Sequence, residues 1–135
     1  MTIANHEYYV SFEIAKLLEK VGFDWKCRKC YNKEVLFDME PDEIRTQTPQ
    51  HSSYDVLAPT LEVAQRWLRE VKDIDVYIFP TTNNIRGCVY EWGIKTFGRA
   101  LWVEGQPYTN QYETYEETQE AGIKKALEII LQNGK

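Results

Sequence analysis

The chain lacks most of what would announce a chemistry. Two histidines in 135 residues leave little material for general acid–base work, and no G-x-S-x-G, no H-E-x-x-H and no phosphate-cradling glycine loop is present. Nowhere is there a run of ~18 apolar residues, the length that crosses a bilayer as a helix. The opening MTIANHEYYVSFEIAKLL has neither a basic start nor an unbroken apolar stretch, so it does not read as a secretory signal. Basic excess is also missing. The formal net charge of −5 opposes nucleic-acid backbones and anionic membranes alike. Three cysteines are too few, and odd in number, for a disulfide framework. Together these absences imply a cytoplasmic chain with reduced thiols, no cofactor, no membrane and no direct nucleic-acid partner.

What is present suits one domain over residues 1–135, long enough to bury a core without staples. Ser11 caps a first helix at about 11–21, with Ile14, Leu17, Leu18 and Val21 at helical spacing and Gly22 placed to end it. Trp25–Tyr31 and Glu34–Phe37 read as a short hairpin turning at Asn32-Lys33. Residues 39–59 are polar, carry three prolines and lack periodicity, so they read as a long loop. Thr60 caps a second helix over about 61–72. The strand IDVYIF (74–79) follows, ended by Pro80, and then a wide turn, TTNNIRG. CVYEWGIKTF (88–97) is a long strand, turning at Gly98-Arg99 into ALWVE. After a turn around Gly105–Pro107, Thr114 and Glu117 form a capping box for a last helix at about 115–131. The order α-β-β-(loop)-α-β-β-β-α, with strands in hairpins, predicts an α+β fold: a mainly antiparallel sheet with helices packed on it.

The most motif-like stretch is KCRKC, residues 26–30. Structural zinc needs four ligands, and one Cys-x-x-Cys with Cys88, His6 and His51 scattered elsewhere does not supply them. A redox pair needs its first thiol at a helix start, whereas YNKEVLF after this pair reads as strand. Cys27 and Cys30 are therefore weak metal candidates and better read as core residues on opposite faces of a strand.

Asp75, Glu91 and Lys95 raise the question of a metal-dependent nuclease, but E-x-x-x-K replaces the E-x-K such sites use. The run from Thr60 to Leu131 follows the element order of a double-stranded RNA-binding domain. Its last helix, however, starts with YEETQE (115–120), whose carboxylates repel phosphates. Aromatic placement is more telling. If helices cover the Val76/Tyr90/Trp92 face, then Tyr77, Phe79, Val89 and Phe97 form an apolar patch on the other. Trp25 and Tyr31, beside the basic cluster, make a second partner-binding candidate.

Three stretches, SFEIAKLLEKVGF, APTLEVAQRWLREVKDIDVYIFP and YETYEETQEAGIKKALEII, together resemble a family of short uncharacterised Bacteroidetes proteins often encoded on prophages and other mobile elements. The resemblance brings no catalytic residues. It implies a small accessory protein. The expectation is thus a non-catalytic protein-binding or adaptor module with an unidentified protein partner, a homodimer being one option. An accessory to nucleic-acid processing, as a metal-dependent nuclease or an acidic regulator, is the alternative.

Overall fold

The computed structural model describes residues 8–38, 55–96, 102–104 and 111–133. The fold is α+β, and the elements run α1 (Phe12–Lys20), β1 (Lys29–Asn32), β2 (Val35–Asp38), β3 (Asp55–Leu57), α2 (Leu61–Val71), β4 (Ile74–Asn83), β5 (Gly87–Thr96), β6 (Trp102–Glu104) and α3 (Tyr115–Asn133). Among the described residues the strands form two sheets rather than one, each antiparallel and three-stranded: β2-β1-β3 and β4-β5-β6. The chain gathers into two compact units, Met1–Ala64 and Gln65–Lys135, with the division falling inside α2. No helix among the described residues is long and apolar enough to cross a membrane.

In the first unit, α1 starts where its sequence indicates. The Ser11 hydroxyl accepts from the Ile14 N–H at 3.2 Å. At the other end Gly22 takes φ +94°, the Phe23 N–H reaches the Leu18 carbonyl and the Gly22 N–H the Glu19 carbonyl. This pair of bonds satisfies carbonyls that the helix leaves open, and it needs a residue free to adopt the left-handed conformation. Ile14, Ala15 and Leu18 are buried, and α1 packs on β3.

The β1–β2 turn lies one residue beyond Asn32-Lys33. Asn32 pairs with Val35, so Lys33 and Glu34 form the loop, both at positive φ (53° and 74°). A two-residue hairpin favours this mirror-image turn because its twist matches the strands, even when neither residue is glycine. Part of the stretch read as loop is strand: Asp55–Leu57 pairs antiparallel with Cys30–Asn32. Residues 39–54 lie outside the described residues.

In the second unit, β4 does not end at Pro80 but continues to Asn83. The reason lies in the register. Pro80 faces Tyr90, whose own N–H and carbonyl turn the other way, to Tyr112, at 2.9 and 3.0 Å. The ladder therefore asks nothing of residue 80, and the missing proline donor falls on the open edge of β4. α3 packs on β4 and β5, closely enough that a Cβ at Gly122 would sit 2.8 Å from Val76 Cγ1 and 3.0 Å from Trp92 Cβ. Val76, Trp92, Ile94, Ile123, Ala126 and Leu127 are buried. β6 pairs with β5 from Lys95↔Trp102 to Gly93↔Glu104, and the turns expected at Gly98-Arg99 and at 105–107 fall outside the described residues.

Candidate functional site

One member of the aromatic patch belongs to the core. Val89, expected on open solvent, is fully buried. Tyr77 lies across Gly93 on the neighbouring strand and stacks on Phe79 with centroids 5.9 Å apart. Both rings are half-buried, and Phe97 lies outside the described residues. In the first unit, the Tyr31 hydroxyl donates to the Val10 carbonyl at 2.7 Å, and its ring meets Phe12 edge-on at 5.5 Å. That makes Tyr31 a brace between β1 and the segment leading into α1. Trp25, six residues earlier, is half-buried, and its carbonyl accepts from the Cys27 thiol.

Cys27 and Cys30 are not on opposite faces. Cys27 precedes β1, and the bend at Arg28 breaks the alternation, so both thiols turn inward at 5% and 4% exposure. Burial pushes the Cys27 thiol from 9.0 up to about 12, with the neighbouring Cys30 adding to the rise. A thiol held so firmly protonated is a poor nucleophile at neutral pH. Among the described residues no three His, Cys, Asp or Glu side chains gather as a metal site would require. His6 and His51 are outside them.

The sheet also keeps Glu91 away from the other two nuclease candidates. Asp75 faces Lys95 directly, whereas Glu91 faces Phe79, four residues or ~13 Å along the strand. Tyr77 and Gly93 occupy the rung between. Glu91 accepts instead from the Gln111 side chain at 2.8 Å.

Two other features carry more, and the sequence signalled neither well. One is the tip of the β4–β5 hairpin, read as a wide turn. Asn83 locks it: its Oδ1 accepts from the Ile85 and Arg86 N–H groups (2.8 and 2.9 Å), and its Nδ2 donates to Gln111 Oε1 at 2.7 Å. Arg86 Nη2 adds a bond to the Gln111 carbonyl at 3.2 Å, and Gly87 closes the turn at φ +81°. Ile85 is held at the apex with 93% of its surface exposed. The other feature is a cavity of about 330 Å³ in the first unit, lined by Tyr9, Lys26, Cys27, Arg28, Ala58–Thr60, Glu62 and Val63. Its lining comes from three separated segments, of which only the basic cluster stands out in the sequence.

Comparison with protein-family models, with curated proteins and with solved structures finds no match to this chain.

Proposed function

We propose that this chain is a non-catalytic protein-binding module that presents the β4–β5 hairpin tip to an apolar pocket on its partner. In keeping with its resemblance to short mobile-element-encoded proteins, the proposal includes an accessory role. The observation that carries it is the combination of Ile85 exposure with the hydrogen bonds that fix its backbone. A side chain this exposed adds nothing to the core. A loop this bonded has already lost the conformational freedom that binding otherwise costs. Preorganised apolar residues at the centre of a contact carry most of its energy. The Tyr77–Phe79 pair is a weaker anchor because each ring already serves the other and Gly93.

Cys88 provides the test. It is exposed two rungs from the loop while Cys27 and Cys30 are buried, so a maleimide photocrosslinker attaches there selectively. The labelled chain, irradiated in lysate of its source cells, is expected to crosslink one protein. The purified protein is then titrated against wild type and Ile85→Asp. Burying an isoleucine is worth about 1.5–3 kcal/mol, so affinity should fall at least tenfold. Equal binding by the variant, or no crosslinked protein, overturns the reading.

A further inference from the structure

We propose that the cavity of the first unit binds the carboxylate of a ligand with an apolar body. The argument starts from charge. Lys26 and Arg28 are exposed on the cavity wall, and among the described residues neither takes part in an ion pair, in a chain of net charge −5. Their neighbour Lys29 differs: it is bonded to Asp38 and sits 5.3 Å from the Tyr9 ring centroid. Among the described residues both cations are left to solvent at the cavity wall, where a ligand can reach them.

The lining then narrows the ligand. Among the described residues Glu62 is the one carboxylate on the cavity wall, so two formal positive charges stand against one negative. The excess of one charge matches a monoanion. A phosphate dianion would exceed that balance by one charge. Arg28 offers the planar fork that binds a carboxylate through two parallel bonds. The remaining wall is apolar: Ala58 and Pro59 are buried there, with Val63 and the Tyr9 ring. The Thr60 hydroxyl accepts from the Val63 N–H at 3.2 Å, which leaves its own proton to donate to a carboxylate. The cavity volume lies at the lower end of what small-ligand sites enclose.

The carboxylate could belong to a free acid or to a peptide side chain, and the test separates them. The full chain, isotope-labelled, is titrated by amide NMR with hexanoate, with a short capped peptide carrying one glutamate, with hexanamide, and with inorganic phosphate. The expected result is saturable shifts at the Tyr9, Arg28 and Glu62 amides with hexanoate or the peptide and none with hexanamide. Whichever carboxylate binds tighter identifies the source. Lys26→Gln and Arg28→Gln should each weaken it about tenfold, the scale of one charge-assisted contact. Both side chains are exposed, so the same spectra verify that the fold is intact. Glu62→Gln should strengthen phosphate relative to hexanoate. The proposal fails if hexanamide binds as well as hexanoate, if phosphate binds tighter than either carboxylate, if the Lys26 and Arg28 variants bind unchanged, or if no saturable shifts arise.

Discussion

Tyr77 lies over Gly93 in the facing rung of the β4–β5 ladder, so closely that a Cβ on residue 93 would stand 2.5 Å from the phenol oxygen. The glycine, a weak strand former, is compensated by an aromatic ring borrowed from the next strand. Gly93→Ala should displace the ring rather than the backbone, because the atoms met are at the far end of a side chain. The displaced ring would also leave its stack with Phe79. We expect a loss of about 1–2 kcal/mol in urea unfolding. In a Tyr77→Ala background the same change should cost almost nothing, which a double-mutant cycle will show directly.

A second relationship guards the open edge of β4. Gln65, on α2, donates through Nε2 to the Val76 carbonyl, and its Oε1 accepts from Gln119 Nε2 of α3 at 2.7 Å. Gln119 is 3% exposed. The two side chains satisfy an outward-facing carbonyl that would otherwise invite a foreign strand, and Pro80 removes a donor farther along the same edge. Gln65→Leu leaves both the Val76 carbonyl and the Gln119 amide without a partner. Its expected cost is about 1–3 kcal/mol, the penalty for stranding buried polar groups. Gln65→Leu with Gln119→Leu should cost less than the sum of the singles. Additive losses in denaturant titrations would contradict the network.

The β1–β2 turn is strained by its own residues. Lys33 and Glu34 both occupy positive φ, a conformation that Asn-Gly adopts readily and that side-chain-bearing Lys and Glu do not. Lys33→Asn with Glu34→Gly should therefore stabilise the first unit, by about 0.5–1 kcal/mol. A raised thermal midpoint is the expected readout. A lowered one would mean that the turn is not of the mirror-image type.

How much of this was legible beforehand follows from the range of each interaction. The helix boundaries were written locally: Ser11, Gly22, Thr60 and Thr114 each act within three or four residues of themselves, and each does so in the structure. The β4–β5 pairing was legible from alternation. Continuation of β4 past Pro80 was not, because it depends on which way Tyr90 points its N–H, and that is set by Tyr112 far along the chain. Strand β3 is three residues long at the end of a polar stretch, and only β1 makes it a strand. Val89 looked like surface by parity with Tyr77, since parity assigns a face but not what covers it. The cavity was invisible for the same reason: no window of sequence contains Tyr9, Arg28, Pro59 and Glu62.

The cysteines give the last prediction. Cys88 is exposed, whereas Cys27 and Cys30 are buried, and the Cys27 thiol donates to the Trp25 carbonyl at 3.6 Å. One thiol per chain should react with a disulfide reagent at neutral pH, and three after unfolding. The raised ionisation of Cys27 adds a pH dependence whose sign is fixed. Unfolded, this thiol ionises around 9.0; folded, not until about 12, so the unfolded state sheds its proton first. Its contribution to stability is fully present below pH 9 and is lost as pH rises towards 12. Cys27→Ala, at the cost of a small cavity, should flatten that alkaline decline relative to wild type. Parallel slopes for the two proteins between pH 9 and 11 would show instead that Cys27 ionises as readily folded as unfolded.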